Sequence, residues 1–381
     1  MPEVAADVES LKEESLVTHS SDNSVTRRLF MSAVAAAPPA PVLLVSDRIA
    51  IFDPPPARVR IVAATAASVV GPAKYTPAEV KQIESQGKDV QLILPKNTEE
   101  LNRALPDADV VLGAVDAEML SKAKKLRWLQ AAEAGMDRLL FPELINSPIV
   151  ITNMARMFAP AISETAIGML LSHTRGFTKY YFPQFQKRTY NSERNLVEVD
   201  GMTMGIVGMG GIGQSVAMRA HYGFNMRILA TDAKPMAKPV FVETLREPGW
   251  FMDMVPQVDV LVSAAPSTKE THGLFNEKVF RSMKKTAYFL SLSRGALVDE
   301  AALARALKEG WIAGAGMDPN VTEPLPSSSP LWDCPNLIIT CHSAGFAPQR
   351  QVRLIGLIAE NVRRYTSGLP LVNVVDKQRG Y

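Results

Sequence analysis

The sequence has little cysteine, little histidine and no long apolar run. Its 381 residues contain 2 cysteines, Cys334 and Cys341, which exclude a disulfide framework and form no C-x-x-C pair for zinc or thioredoxin-like redox chemistry. The 5 histidines include no pair at i, i+4 and no neighbouring carboxylate cluster, so we expect no metal site. No stretch approaches the ~20 uninterrupted apolar residues that a membrane-spanning helix needs. A metalloenzyme and a transmembrane protein are therefore not expected.

The sequence also lacks an excess of charge of one sign. Its 41 basic and 39 acidic residues give a formal net charge of +2, which is too little to attract nucleic acid or an anionic membrane. We therefore expect a small-molecule partner, with no nucleic acid and no membrane. Because 47% of the 381 residues are hydrophobic and cores usually split beyond about 250 residues, two domains are expected.

Residues 1–53 differ in composition from the rest of the chain. They begin with an acidic, polar stretch without helical or strand periodicity, which is typical of a disordered tail. The pair Arg27-Arg28 then precedes an Ala-rich apolar run that prolines interrupt, a pattern similar to a bacterial twin-arginine export signal. The acidic start and the prolines are unusual for a signal. This N-terminal extension thus has two open interpretations, a disordered tail or a twin-arginine-like signal.

From residue 58 onward, short apolar runs alternate with amphipathic segments, which is typical of β-α-β units and a mainly parallel sheet. The predicted strands of a first series are 59–64, 90–94, 110–114, 126–130 and 149–151. Helices are predicted at 77–86 and 98–104, each opened by a proline or a polar cap. A helix at 160–175 leads to a second series of six strands, the number in a complete dinucleotide-binding fold. These strands are 204–207, 227–230, 258–264, 287–292, 314–317 and 337–339.

A glycine-rich run, G-M-G-G-I-G at residues 208–213, follows a predicted strand and opens a helical pattern. Gly208 permits a tight turn, Gly210 lets the backbone approach a pyrophosphate, and Gly213 lets the helix pack closely on its strand. The helix would point its free N–H groups and the positive end of its dipole at the diphosphate. A purely structural glycine turn is the alternative, but the strand-turn-helix context favours dinucleotide binding.

Asp232 closes the next predicted strand, about twenty residues after the last glycine, where the dinucleotide fingerprint places an acidic residue. A carboxylate at this position accepts hydrogen bonds from the adenosine ribose and repels a 2′-phosphate. NAD is therefore the expected cofactor and NADP the less favoured one, although Lys234 lies nearby in the sequence.

Three further polar residues follow strands of the second series: Arg294, Glu323 and His342. Because the carboxyl ends of the strands of a doubly wound sheet meet in one crevice, we expect these side chains to converge. Arg294 can hold a substrate carboxylate with its rigid fork. His342 can give a proton to a carbonyl oxygen and take it back, and Glu323 can fix the tautomer of the imidazole. Each residue alone would favour a structural role, but together, after a dinucleotide fingerprint, they suit hydride transfer to a 2-oxo acid.

At these motifs the sequence resembles the D-isomer-specific 2-hydroxyacid dehydrogenase family, from about residue 58 to the last residue given. Three segments carry the resemblance, in the order that the family has them. They are S-x-x-R-G at 291–295, E-P-L-P at 323–326 and C-H-x-A-G at 341–345, where Cys341 replaces the proline of the family's P-H-x-A-G. The resemblance implies that Arg294, Glu323 and His342 are the catalytic residues.

The resemblance also implies two doubly wound, parallel-sheet α/β domains. A Rossmann NAD-binding domain at 161–345 would be inserted in a flavodoxin-like substrate-binding domain, made of 58–160 and 346–381. The helical pattern at 349–365 comes after the last strand of the second series, and we place it against the first sheet. A homodimer is implied as well.

Further ligand contacts are implied by the same resemblance. The backbone N–H groups of Ala134 and Gly135 would meet the substrate carboxylate, where glycine allows a close approach. Arg294 and His342 would bind the substrate too. The further expected cofactor contacts are Gly211, Ile212, Ala265, Pro266, Leu292, Ser293 and Asp318.

The sequence therefore predicts an enzyme that transfers a hydride between NAD and a small 2-oxo or 2-hydroxy acid, such as glyoxylate or hydroxypyruvate. Relatives of the corepressor type use the same fold as NAD-sensing interaction modules, which is the alternative; the three catalytic residues favour an enzyme. An enzyme that releases its dinucleotide needs a pool that recycles it, so we expect a cytoplasmic protein. A periplasmic location through Arg27-Arg28 is the alternative.

Overall fold

The computed structural model describes residues 58–64, 75–190 and 195–381. The predictions on residues 1–53, and the cellular location that depends on them, lie outside the described residues and stay predictions. In the described part of the chain, no helix combines the length and the apolar character that crossing a membrane requires.

The first sheet has five strands in the order β2-β1-β3-β4-β5. Every neighbouring pair is parallel, and the order is that of a flavodoxin-like doubly wound sheet. The strands are β1 (Val59–Ala64), β2 (Val90–Ile93), β3 (Val110–Gly113), β4 (Trp128–Gln130) and β5 (Val150–Thr152). β1, β3 and β4 are buried almost throughout, because both faces of a parallel sheet are covered. All five predicted strands are confirmed, although the ends of four of them shift by one or two residues.

Polar caps begin three of the four helices of this part of the chain, and the fourth begins at a proline. Thr76 forms a capping box, in which its hydroxyl accepts the N–H of Glu79 and the Glu79 carboxylate accepts the N–H of Thr76. Asn97 and Asp116 each accept the N–H of the residue three positions later. The helices are α1 (Pro77–Glu84), α2 (Thr98–Ala104), α3 (Ala117–Lys122) and α4 (Pro142–Asn146).

The second sheet has seven strands, all parallel, in the order β12-β11-β10-β9-β6-β7-β8. Numbered from its own first strand, this is the dinucleotide-binding order 3-2-1-4-5-6 with one further strand at the far edge. The predicted number of six strands is wrong, because the short edge strand Thr244–Arg246 has one apolar side chain, is not buried and gives no apolar run. The strands are β6 (Thr203–Val207), β7 (Arg227–Thr231), β8 (Thr244–Arg246), β9 (Val260–Ser263), β10 (Tyr288–Ser291), β11 (Gly314–Met317) and β12 (Leu337–Ile339).

The helix predicted at 160–175 packs against the helix that follows the glycine-rich run. Its buried residues Ala166, Met169 and Leu170 belong to the apolar core on one face of the second sheet. The hydroxyls of Ser163 and Ser215 are hydrogen-bonded across the contact, 3.0 Å apart. The helices from this point on are α5 (Ala159–Thr174), α6 (Phe182–Lys187), α7 (Gly211–Phe224), α8 (Phe251–Met254), α9 (Glu277–Ser282), α10 (Glu300–Lys308) and α11 (Gln349–Thr366).

The last helix, α11, packs against the first sheet and not against the second. Its buried residues share an apolar core with β1 and β3. The rings of Tyr365 and Trp128 are 5.5 Å apart, and the amide of Asn361 donates to the side-chain oxygen of Gln130 at 3.0 Å. The chain thus returns to the first sheet after completing the second. The domain boundaries at 160 and 346 stay predictions.

Candidate active site

The glycine-rich run forms the turn between β6 and α7. Gly208 has a φ of +95°, a conformation that favours glycine, and a Cβ on it would lie 2.6 Å from the backbone nitrogen of Ala265. A Cβ on Gly213 would collide with the carbonyl oxygen of Gly208. A Cβ on Gly210 would meet nothing within 4 Å, so this residue borders open space. Because α7 begins at Gly211 and the first turn of a helix has N–H groups to offer, a pyrophosphate fits here.

The other expected cofactor contacts lie at the carboxyl ends of neighbouring strands. Asp232 directly follows β7, and its carboxylate accepts the N–H of Met209 at 2.6 Å and the N–H of Lys234 at 2.7 Å. These bonds fix the carboxylate beside the glycine-rich turn. The remaining residues lie in the first turn of α7 (Gly211, Ile212), after β9 (Ala265, Pro266), after β10 (Leu292, Ser293) and after β11 (Asp318). The residues present therefore fit a dinucleotide, while the individual contacts stay predictions.

Arg294 follows β10 and lies against the loop after β4 of the first sheet. A Cβ on Gly135 would collide with the guanidinium Nη2, so this glycine allows Arg294 to lie directly on the loop. Nη1 donates to the carbonyl oxygen of Ser293 at 2.9 Å, and Nε donates to Oδ1 of Asp137 at 3.3 Å. The structure thereby brings Arg294 to the predicted substrate loop, which carries Ala134 and Gly135.

His342 and Glu323 form a hydrogen-bonded pair. Nδ1 of His342 lies 3.0 Å from Oε2 of Glu323, and Oε1 of Glu323 accepts the N–H of Asn320 at 3.2 Å. With Nδ1–H donated to the carboxylate, Nε2 is the ring nitrogen that can exchange a proton with a ligand. A Cβ on Gly295 would collide with the backbone of Asn320. The segment that carries Arg294 therefore packs directly on the segment that carries Glu323.

Asp318, which is 4% exposed, holds the loop that carries His342. Its Oδ1 accepts hydrogen bonds from the Thr340 hydroxyl at 2.7 Å, from the Ser343 N–H at 2.9 Å and from the Ala344 N–H at 3.0 Å. The N–H of His342 donates to the Asp318 carbonyl oxygen at 3.1 Å. His342 has a φ of +54°, which is uncommon for a residue with a side chain. This network keeps the imidazole loop in that conformation, a role that the sequence does not indicate.

Sequence reasoning assigns no role to two further residues of the site, Asp137 and Asn320. Asp137 pairs with Arg294, which lies 157 positions away in the sequence, and Asn320 fixes the carboxylate of Glu323 through its backbone N–H. Almost every residue type has a backbone N–H, and an acidic loop residue has many possible partners. Neither role can therefore be predicted from the residue type. Among the described residues, no three His, Cys, Asp or Glu side chains are grouped as metal ligands would be.

The sequence matches the model of a known family and is similar to known proteins. A model of the NAD-binding domain of D-isomer specific 2-hydroxyacid dehydrogenases matches residues 167–344. A glyoxylate reductase of Thermofilum pendens is 32% identical over 295 residues, which are 74% of this chain and 86% of that protein. Glyoxylate/hydroxypyruvate reductase B of Pectobacterium carotovorum is 30% identical over 281 residues, which are 72% of this chain and 88% of that protein.

The fold is similar to solved structures of the same kind. A D-isomer specific 2-hydroxyacid dehydrogenase family protein from Aeromonas salmonicida superimposes with a TM-score of 0.69 at 27% identity, over 84% of this chain and 100% of that one. An NADPH-dependent glyoxylate/hydroxypyruvate reductase from Sinorhizobium meliloti has a TM-score of 0.70 over 85% of this chain and 100% of that one, and at 24% identity it shares the fold. The chain therefore belongs to the D-isomer specific 2-hydroxyacid dehydrogenase family of NAD(P)-dependent oxidoreductases.

Proposed function

We propose that the chain transfers a hydride between a nicotinamide dinucleotide and a small 2-oxo or 2-hydroxy acid, with Arg294, Glu323 and His342 as catalytic residues. One series of contacts carries the proposal. Gly295 packs on Asn320, and the N–H of Asn320 binds Glu323, which in turn binds His342. A guanidinium and an imidazole thus lie on adjoining segments at one edge of the second sheet. A 2-oxo acid has the matching groups, a carboxylate beside a carbonyl.

The substrate carboxylate would bind beside the contact that Arg294 makes with the loop of the first sheet. Because Nη2 of Arg294 lies on Gly135, the guanidinium and the backbone N–H groups of Ala134 and Gly135 can meet the same anion. Holding the carboxylate also fixes the adjoining carbonyl carbon, which is the atom that must receive the hydride.

His342 would give the proton of Nε2 to the carbonyl oxygen as it becomes a hydroxyl, and would take the proton back in the oxidation. The Glu323 carboxylate would accept the Nδ1–H and so keep the ring oriented. The dinucleotide, when bound, supplies or accepts the hydride. In the reduction, one 2-oxo acid, one NADH and one proton are consumed, and one 2-hydroxy acid and one NAD⁺ are formed.

Glyoxylate and hydroxypyruvate are the proposed substrates. The relative from Thermofilum pendens is a glyoxylate reductase, and the one from Pectobacterium carotovorum is a glyoxylate/hydroxypyruvate reductase. The purified chain should consume NADH when either acid is added, but not with acetate, which has a carboxylate and no carbonyl. A failure to consume NADH or NADPH with any small 2-oxo acid would contradict the proposal.

NAD is the proposed cofactor, and the Asp232→Ala variant tests this choice. A carboxylate directly after β7 and beside the glycine-rich turn would accept from the ribose and repel a 2′-phosphate, so the variant should lose preference for NADH over NADPH by about 10-fold or more. The measurement is the ratio of kcat/KM for the two cofactors. NADP is the alternative, since the Sinorhizobium meliloti protein of this fold is NADPH-dependent and Lys234 lies beside Asp232.

Asp232→Asn is the matched control, because the amide oxygen can still accept the N–H of Met209 while the charge is gone. The asparagine variant should lose cofactor discrimination and keep the stability of the turn. An unchanged NADH to NADPH ratio in both variants would mean that Asp232 does not face the ribose hydroxyls.

A homodimer is the proposed assembly. The segment around α6 exposes large aromatic side chains, with Phe182 at 58%, Phe185 at 90% and Tyr190 at 93% exposure. Several exposed aromatic side chains in one short segment are typical of a protein–protein contact, since monomers seldom leave much apolar surface in water. Light scattering on the eluting peak of a size-exclusion column should give twice the mass of one chain. A single-chain mass at micromolar concentration would rule the dimer out.

A further inference from the structure

Asp137 forms an ion pair with Arg294 that joins the first sheet to the second. Its Oδ1 accepts the Nε–H of Arg294 at 3.3 Å, and the two side chains are 31% and 29% exposed. Asp137 lies in the loop after β4 and Arg294 in the segment after β10. An ion pair with this much contact with water contributes little to stability, because solvent screens it and the long arginine side chain loses freedom. Its main consequence is therefore the orientation of the guanidinium.

Two other contacts act on the same guanidinium. Nη1 donates to the carbonyl oxygen of Ser293 at 2.9 Å, and Nη2 lies against Gly135. A guanidinium has five N–H donors in a fixed plane. The protein binds the Nε–H and one N–H of Nη1, and it places Nη2 at the loop where the substrate carboxylate is proposed to bind.

The loop that carries Asp137 is itself held in place. Met136 is 1% exposed in the apolar core of the first sheet, and its carbonyl oxygen accepts the N–H of Leu139 at 3.0 Å. The side-chain amide of Asn153 donates to the carbonyl oxygen of Ala134 at 2.7 Å. Asp137 follows a buried, anchored residue and is therefore a fixed acceptor for Arg294.

We propose that Asp137 is a positioning residue that turns the Nη2 side of Arg294 toward the substrate carboxylate. The inference rests on the proposed reduction of a 2-oxo acid. A guanidinium binds a carboxylate either through its Nε and Nη2 side or through its two Nη atoms. Asp137 accepts the Nε–H, so the substrate carboxylate cannot bind through the Nε and Nη2 side. Without Asp137 the guanidinium keeps only the hydrogen bond to Ser293 and the contact with Gly135, so its orientation varies more and fewer bound substrates have their carbonyl at His342.

Two substitutions separate this role from others. Asp137→Ala is expected to lower kcat/KM for glyoxylate by about 10- to 100-fold, because misorientation of a bound substrate has costs of this size. Asp137→Asn keeps an oxygen that accepts the Nε–H and should stay within about 5-fold of the parent. The dissociation constant of NADH, from its fluorescence, and the melting temperature should be unchanged in both variants.

Asp107→Asn is the matched control. Asp107 also pairs with basic side chains, Arg60 and Lys125, but it precedes β3 and so lies at the amino end of the strands, away from the site. Its activity should equal that of the parent.

Each remaining outcome has a definite meaning. A parent that reduces no 2-oxo acid refutes the proposed function itself. An active parent whose Asp137→Ala variant is equally active, or has a lower KM, overturns the positioning role, since the carboxylate would then only compete with the substrate. Equal losses in the alanine and asparagine variants overturn it too, because the hydrogen bond would not be what orients Arg294. A fall in melting temperature that is large enough to explain the lost activity would also overturn the positioning role.

Discussion

Replacing His342 with glutamine is expected to lower kcat/KM for glyoxylate by about 10²- to 10⁴-fold, the contribution of a positioned general acid. A glutamine amide can fill part of the imidazole's space and can hydrogen-bond to Glu323, but it has no proton to give to the carbonyl oxygen. His342 lies on the loop after β12 and outside the glycine-rich turn, so the dissociation constant of NADH should stay within about 3-fold. Steady-state kinetics and NADH fluorescence measure the two quantities.

His221→Gln is the matched control for this substitution. His221 lies in the last turn of α7, where its Nδ1 is 3.1 Å from the carbonyl oxygen of Met226. Its replacement should leave kcat/KM within about 2-fold of the parent. If His342→Gln were as active as His221→Gln, another group would be the proton donor.

The Arg294→Lys variant should lose about 100-fold or more in kcat/KM, which is roughly 2.7 kcal/mol of transition-state stabilisation. Because lysine keeps the positive charge, the loss of kcat/KM measures the contribution of the guanidinium's geometry. An ammonium group is a point charge that cannot bind a carboxylate in a bidentate manner. It also cannot bind the Ser293 carbonyl and Asp137, as the planar guanidinium does, and have donors left for a substrate. Kinetics with glyoxylate and hydroxypyruvate provide the measurement.

Arg305→Lys tests whether any arginine-to-lysine change has this effect. Arg305 lies on α10 and pairs with Glu277 at the surface, and its replacement should leave kcat/KM within about 2-fold of the parent. An Arg294→Lys enzyme within about 3-fold of the parent would refute the carboxylate-binding role of Arg294.

The dinucleotide turn could be predicted from the sequence because its constraints are local. Gly208 needs a left-handed backbone, and Gly213 must approach the carbonyl of Gly208, five positions earlier. The spacing of the glycines in the sequence is enough to indicate both requirements. The buried strands could be predicted for a similar reason, since a strand covered on both faces is a continuous apolar run.

The edge of the second sheet could not be predicted in the same way. β8 pairs with β7 on one side, and its residues are not buried. Backbone hydrogen bonds to a neighbouring strand stabilise it, and such bonds require no particular side chains. Nothing in three residues with a single apolar side chain indicates that a strand is formed.

The contacts that orient the proposed catalytic side chains also depend on the folded chain. The ion pair of Asp137 and Arg294 joins loops from different sheets, and Asp318 binds a hydroxyl and two N–H groups of the His342 loop. The sequence therefore predicts which side chains carry out the chemistry, because strand ends converge at one edge. It does not predict which neighbours hold them, because that depends on packing between distant segments.

Transfer of deuterium from labelled NADH to glyoxylate tests the central claim most directly. NADH carrying deuterium at one or the other face of the nicotinamide C4 is incubated with the purified chain and glyoxylate, and the glycolate is analysed by mass spectrometry. Direct hydride transfer predicts glycolate with one carbon-bound deuterium from one of the two labelled forms and none from the other. Glycolate without carbon-bound deuterium from either form, or no glycolate at all, would contradict the account.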